Sequence, residues 1–473
     1  MKLSLIEKVG YGLGDTASNF VWALMMNWIM YFYTDIFGIT AAAAGTMLLF
    51  ARSSDGFVDF MIGALADRTK TRWGSFRPYL IWLNIPLAII FVLAFTTPHL
   101  STGGKVVWAW VTYNLMMFLY SAINIPYGAL SGVMTDDSVE RTSLNSYRMS
   151  LAQIGGIIAN SSFTVLIVKL GSTKQIGAQH TVMLFASIAV VLFLICFLTT
   201  KERIQPPAEQ KTKLRDDLKL LFKNSHWIMM FIFSFVNITL AVTRGSAIIY
   251  YLERYLKLDA GHVEKCLYKW EAGRAIEVLY LGQIGTYFLI SGLAMIFGAM
   301  MTRFAVQALG QKRAFLTSLA GVALTAIPFY YMTPDQMPLI YAFSILGSIA
   351  AGINASLFWT MVAETADFQE WKFKVRTTGI AFSATTFAQK VGMGLGVAFT
   401  GYVISYVGYD AKALVQMPQT IQGILLLNSL IPAVGWILLA IFFTRYGLDE
   451  ATCKTMREEL NKRREGRDAL NPA

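Results

Sequence analysis

Residues 46–68 read TMLLFARSSDGFVDFMIGALADR. A helix needs about 20 residues to cross a bilayer, and this stretch is long enough. It carries three ionisable side chains in its interior: Arg52, Asp55 and Asp59. A charge at the bilayer centre costs at least about 2.5 kcal/mol on insertion scales, so such residues mark function inside the membrane. Asp55 and Asp59 are four apart and share one helix face; Arg52 sits three before Asp55 on the same face. Two carboxylates so spaced can hold a Na⁺ with help from hydroxyl or carbonyl oxygens. Alternatively, their mutual repulsion makes the pair hold a proton. The competing reading is structural, with Arg52 neutralising Asp55 for packing.

Outward from this stretch the same pattern repeats. Apolar runs long enough to span lie near 12–36, 41–66, 78–97, 105–133, 145–169, 181–200, 226–252, 279–304, 313–333, 338–363, 378–407 and 420–445. Pro78 opens the third and Pro338 the tenth, as helix starts allow. The composition agrees. Of 473 residues, 55% are hydrophobic and only 15% charged, against about 25% charged in soluble proteins. The fold class is therefore an all-α membrane protein with twelve transmembrane helices. The net charge of +11 needs no nucleic acid. Lys and Arg favour one set of loops, including 68–72 and 201–223, roughly threefold over the other, which accounts for the charge and predicts both termini in the cytoplasm. The N-terminus, MKLSLIEKVGYGLGD, lacks the pattern of a cleaved signal. Cys196, Cys266 and Cys453 are too few and scattered for a disulfide framework or a zinc site.

One long cytoplasmic break, 201–225, contains Pro206-Pro207 and the amphipathic LRDDLKLLF. Six runs precede it and six follow. The expected organisation is an N-terminal six-helix bundle over 1–200, a central loop over 201–225, a C-terminal bundle over 226–446 and a tail over 447–473, the layout of a two-bundle transporter.

Further polar groups lie in the apolar runs. Asp15, Arg148, Arg244 and Lys390 are charged; Asn19, Asn124, Asn160, Asn237 and Asn354 are neutral groups that suit sugar hydroxyls. An intramembrane Asn is more often a helix–helix contact. Lys390, alone in TTFAQKVGMGLG, needs a counter-charge or an anionic ligand. In the fourth run, YSAINIPYGAL, Pro126 and Gly128 are expected to loosen the helix near Tyr120, Ser121, Asn124 and Tyr127. Trp359 is either a ring for sugar stacking or an interface anchor.

Three segments, ALADRTKTRWGSFRPYL (64–80), YSAINIPYGAL (120–130) and MVAETADFQEWKFKVRTTG (361–379), resemble the glycoside–pentoside–hexuronide:cation symporters, a branch of the major facilitator superfamily that includes the melibiose and glucuronide carriers. The likeness runs from GYGLGDTASNF at residues 10–20 to the last run. It implies two six-helix bundles of the major facilitator fold in a bacterial inner membrane, and symport of a glycoside, hexuronide or pentoside with H⁺ or Na⁺, without other cofactors. It implies cation binding by Asp55, Asp59, Ser121 and Asn124. It implies substrate binding by Asn19, Tyr120, Asn124, Arg148 and Lys390, and the interior charge Arg52 and the ring of Trp359 are further candidates from the residues themselves. The resemblance matches Glu364, Asp367 and Arg376 to a charged cytoplasmic network, and Arg68 and Arg72 of the short loop after the second run are expected to join them as a gate. The expected partners are the sugar and membrane lipid, with the chain a monomer. The melibiose carrier has acids where this chain has Asn19 and Asn124, and Trp where it has Gly128. Losing two acids while keeping Arg148 and Lys390 leans the expected substrate toward an anionic sugar, with a neutral pentoside or glycoside as the alternative. From other classes, an integral prenyltransferase could use Asp55 and Asp59 for Mg-diphosphate, but its second acidic motif has only Asp136-Asp137 as a candidate. A channel needs no such pair.

Overall fold

The computed structural model describes residues 3–69, 71–135, 138–203, 221–258, 267–269, 275–277, 282–374, 378–413, 415–448, 452–456 and 458–460. Asp136, Asp137, Arg376, the side chain of Arg68 and most of the central loop lie outside the described residues. Twelve helical passages follow one another among those described. The first, α1 (Leu5–Ala23), starts on a capping box, with Ser4 Oγ accepting from the Glu7 N–H at 3.3 Å and Glu7 Oε2 from the Ser4 N–H at 2.9 Å. It continues through Leu24–Trp28, Ile29–Tyr31 and Phe32–Phe37, two of them π-helical, and stops at Gly38, whose φ of +84° suits glycine. Next come α2 (Ala41–Arg68), capped by Thr40, and α3 in two pieces, Arg77–Trp82 and Asn84–Ala94. Then follow α4 (Thr102–Met134), α5 (Ser138–Leu170), α6 (Lys174–Thr199) and α7 (Ser225–Tyr250), which runs on through a π turn at Tyr251–Tyr255. The rest are α8 (Gly282–Leu309), α9 (Gln311–Ala326), α10 (Met337–Phe373), α11 (Thr378–Tyr406) and α12, in two pieces, Pro418–Asn428 and Leu430–Phe443.

Each apolar run of the sequence coincides with a helical passage among the described residues. Among the described residues, eight helices hold an apolar window long enough to cross a membrane. Arg52, Asp55 and Asp59 interrupt the apolar stretch of α2, which stays one continuous helix, and α3 is broken at Leu83. Several helices outrun their apolar stretch: α10 continues to Phe373 instead of ending near 363, because TADFQEWKF keeps helical spacing after its hydropathy falls. The expected loosening at Pro126 does not occur. The helix α4 passes through it unbroken, and the Tyr127 carbonyl accepts a hydrogen bond from Tyr11 Oη at 3.1 Å. Between α7 and α8 the strands β1 (Leu267–Lys269) and β2 (Ala275–Glu277) pair antiparallel, with Tyr268 opposite Ile276.

The contacts form two compact units: Met1–Ala208 with Gly245–Gly292 and Val397–Ile424, and Glu209–Arg244 with Leu293–Gly396 and Leu425–Ala473. In the first, α1 packs against α5 and α6. A side chain on Gly155 of α5 would meet the Thr16 carbonyl of α1 at 2.8 Å, so these backbones touch only because the residue is glycine. The core of the second unit gathers Phe233, Phe315, Phe358, Trp436 and Phe443. Large apolar side chains left exposed, such as Leu198 (73%) and Leu438 (61%), suit contact with lipid tails.

The two units share a device. Arg77, opening α3, donates to the Phe197 carbonyl of α6 at 2.7 Å. Lys312, at the start of α9, donates to the Thr444 and Tyr446 carbonyls just past α12 at 2.8 and 2.6 Å. In each case a cation opening the third helix of six satisfies carbonyls that end the sixth. The α8–α10 contact in the second unit is set by Gly298 and Gly352, where a Cβ would lie 2.1 Å from the Ile349 and Met295 carbonyls. Gly352→Val is expected to cost about 1–3 kcal/mol through overpacking. The check is the monodisperse fraction and thermal midpoint of purified protein, which should both fall.

Candidate functional site

Asp55 is 3% exposed on α2, and Ser121 Oγ of α4 donates to its Oδ1 at 3.0 Å. Asp59 is one turn further along α2 and partly buried. Arg52, 1% exposed, lies with its guanidinium carbon 5.1 Å from the Trp22 ring centroid and 5.8 Å from that of Tyr113. These two aromatic rings give a desolvated cation the favourable faces it needs away from water. Of the residues expected to bind a cation, the structure brings Asp55 and Ser121 together. Asn124 turns instead to its own helix, its amide donating to the Tyr120 carbonyl at 3.1 Å.

Beside this lies a cavity of about 280 Å³ within the first unit, walled by α1, α4 and α5. Trp22 and Tyr120 are stacked at 5.5 Å with 19° between their planes, and both line it. Asn19 lines it too, its amide donating to the Asp15 carbonyl at 2.9 Å. Asp15 accepts from Arg148 Nε at 2.7 Å, and the Arg148 guanidinium lies 5.1 Å from the centre of the Tyr127 ring. Tyr127 is fixed in turn by stacking on Tyr11 at 4.7 Å and donating to the Tyr11 carbonyl at 2.6 Å. The cavity offers a flat aromatic platform, an amide and a carboxylate, the groups that bind a polyol with apolar C–H faces.

The remaining expected residues sit elsewhere. In the second unit Lys390 is partly buried on α11, and Trp359 stacks on Phe382 at 5.7 Å. Arg244 covers the Phe329 ring at 4.9 Å. Asn160, Asn237 and Asn354 make helix–helix contacts, with Asn27 and Trp28, with Trp436, and with Ser318. Of the expected gate, Glu364 is buried and accepts from Gln311 Nε2 at 2.8 Å, while Arg72 is exposed and lies over Trp73. Near Arg72, the Glu202 carboxylate accepts from the Ser75, Phe76 and Arg77 backbone N–H groups at 2.8–2.9 Å, an anion on the N-terminus of α3.

Sequence reasoning missed three features. Trp22 looked like any aromatic in an apolar run, although its spacing from Asn19 puts both on one face. Asp15 was noted as an interior charge, yet its pairing with Arg148 spans 133 positions. A third cluster joins the end of α1 to the ends of α7 and α11: Arg254 Nη2 donates to Asp35 Oδ1 at 2.6 Å, as does Tyr409 Oη at 2.5 Å, and Thr34 Oγ1 donates to Asp35 Oδ2 at 2.7 Å.

The family model described as MFS/sugar transport protein matches residues 10–450. The chain belongs to this family. Among curated proteins, the transporter is 34% identical to the inner membrane symporter YicJ of Escherichia coli (strain K12), covering 97% of this chain and 95% of that protein. It is 32% identical to the isoprimeverose transporter of Lactiplantibacillus pentosus, over 96% and 90%. It is 30% identical to the glucuronide carrier protein homolog of E. coli (strain K12), over 99% and 98%. Among solved structures it resembles the nucleoside transporter NupG (TM-score 0.63, 16% identity, 93% and 98% covered). It also resembles a D-xylose-proton symporter (TM-score 0.58, 14% identity, 94% and 97% covered). The fold is the twelve-helix major facilitator fold of two six-helix bundles, and the protein is a multi-pass membrane transporter. The prenyltransferase alternative is set aside with that assignment.

Proposed function

We propose that this transporter moves a sugar or glycoside by cation-coupled symport with alternating access, using the α2 carboxylates for the cation and the Trp22–Tyr120 cavity for the sugar. One observation carries the reading: neighbouring residues of α4 serve the two sites. Ser121 bonds Asp55, and Tyr120 forms the wall of the cavity. A shift of α4 that tightens one site is felt at once by the other, which is how two ligands come to bind cooperatively. The relatives' names, including a putative glycoside/cation symporter of E. coli (strain K12), support both halves of the reading.

In this reading Asp55 and Asp59 hold H⁺ or Na⁺ with Ser121. Asn19, Trp22 and Tyr120 hold the sugar, and Arg148 orders the cavity through Asp15; Lys390 and Trp359 lie in the other unit and are not among the cavity's lining residues. The gate residues that the resemblance implies are Glu364, Asp367 and Arg376 on one stretch of the chain and Arg68 and Arg72 on another. The bundles divide at the central loop, which the paired Arg77 and Lys312 contacts support, and the Lys and Arg bias puts both termini in the cytoplasm.

Uptake of a panel of neutral and anionic glycosides into energised membrane vesicles, with and without a Na⁺ gradient, tests the whole. At least one glycoside should accumulate above its outside concentration, and collapse of one cation gradient should abolish this. No accumulation of any glycoside would overturn the reading. Tyr120→Ala should raise the sugar KM about tenfold, since an aromatic contact is worth about 0.5–1.5 kcal/mol, while the cation dependence stays. An unchanged KM would remove Tyr120 from the sugar site.

A further inference from the structure

The two charges nearest the cavity are not equivalent. Asp15 lines it; among the described residues of its wall, Asp15 is the one charged side chain. The others the argument needs, Asn19, Trp22, Tyr120 and Gln153, are neutral. Arg148, which the sequence offers as a partner for a carboxylate substrate, is already engaged. Its Nε is 2.7 Å from Asp15 Oδ2, and its guanidinium packs on Tyr127. Arg52 is likewise held between Trp22 and Tyr113 and does not appear on the wall. A hexuronate would bring its carboxylate toward Asp15 in a weakly screened site, and it could reach Arg148 only by displacing an ion pair whose members are 23% and 11% exposed.

We propose that Asp15 is a specificity-determining residue: by neutralising Arg148 and presenting a carboxylate to the cavity, it makes the transporter select neutral glycosides and reject the matching uronides. This rests on the reading of the cavity as the sugar site. It reverses the preference that charge counting alone suggests, because Arg148 counts as a free cation only if Asp15 is ignored. A neutral sugar has what the wall asks for: hydroxyl donors for the Asp15 oxygens, partners for the Asn19 and Gln153 amides, and a C–H face for the Trp22–Tyr120 pair. Asp15 and Asn19 are one helical turn apart on α1, so both present to the same ring.

The test uses purified full-length protein and calorimetric titration with 4-nitrophenyl β-glucoside and 4-nitrophenyl β-glucuronide, which differ only in CH₂OH against carboxylate, together with the β-xyloside. The wild type should bind the glucoside at least tenfold more tightly than the glucuronide. Asp15→Asn leaves Arg148 uncompensated and should shift that ratio at least tenfold toward the glucuronide. Adding Arg148→Gln to Asp15→Asn should abolish the shift. A wild type that binds the glucuronide as tightly as the glucoside overturns the proposal, and this measurement decides even if Asp15→Asn does not fold. So does an Asp15→Asn protein whose ratio is unchanged. If none of the three glycosides binds the wild type, the cavity is not a sugar site, and the underlying reading fails with the proposal.

Discussion

In Asp55→Asn, the steady-state accumulation of sugar in energised vesicles should fall to the outside concentration, while exchange of sugar down its own gradient continues. Asp55 is 3% exposed and receives a hydrogen bond from Ser121 at 3.0 Å. In the proposed reading the coupling cation neutralises this carboxylate for part of the cycle, which offsets the cost of an ionised group in the bilayer. The membrane potential acts on that cation at about 2.3 kcal/mol per 100 mV. One coupled cation at about −100 mV therefore supports roughly a 45-fold accumulation. Asparagine keeps the shape and the contact with Ser121 but has no charge to be neutralised. Coupling is then lost while the sugar cavity, on the Tyr120 side of α4, stays intact. Full accumulation by Asp55→Asn would sink the assignment. Parallel loss of exchange would mean that the carboxylate serves sugar binding or folding instead.

The helices were legible in the sequence because the bilayer imposes a length, and a run of about 20 apolar residues records it. What lies beyond the bilayer is not so recorded. The last turns of α10 are polar helix, and hydropathy ended them early. Pro126 was misjudged for a related reason: a proline removes one hydrogen bond, but the rest of a packed transmembrane helix and its neighbours hold the backbone in place. Asp55 and Ser121 could be brought together by resemblance, and the structure joins them. The partner of Arg148 could not. Counting charges along the chain treats every Arg in an apolar run alike, whereas Asp15, on another helix, decides whether that charge faces a ligand. Three of the intramembrane asparagines, at 160, 237 and 354, show the same thing in neutral form. Their residue type suited sugar hydroxyls, and their positions tie helices together.

The Asp35 cluster bears on how the transporter opens. Asp35 ends α1, Arg254 lies just past α7 and Tyr409 follows α11, so all three sit at the ends of odd-numbered passages, the outer side in the proposed orientation. The Asp35 side chain is 2% exposed and that of Arg254 16%. Burial, with the Asp35 carboxylate beside it, pushes the Tyr409 phenol far above its ordinary range, so it stays protonated and donates at 2.5 Å. Arg254 also donates to the Ala411 carbonyl at 3.1 Å, and Thr34 and Tyr250 share a hydroxyl contact at 2.7 Å beneath. A carrier that admits sugar from this side must part these helix ends and break the cluster. Removing one member of a buried ion pair costs about 3 kcal/mol or more, since the other charge is left uncompensated. Asp35→Ala should therefore shift the population open on this side by roughly a hundredfold. The measurement is labelling by an impermeant maleimide, added from outside, of a cysteine placed at Asn27 in a background with Cys266 replaced by Ser. The labelling rate should rise steeply in Asp35→Ala and Arg254→Ala. It should return toward the parent rate when the two charges are exchanged, as Asp35→Arg with Arg254→Asp, because the attraction is then restored with its sign pattern inverted. Rates that stay at the parent value in both single variants would show that apolar packing, such as Tyr31 against Tyr250 and Trp28 against Phe288, closes this side without help from the charges.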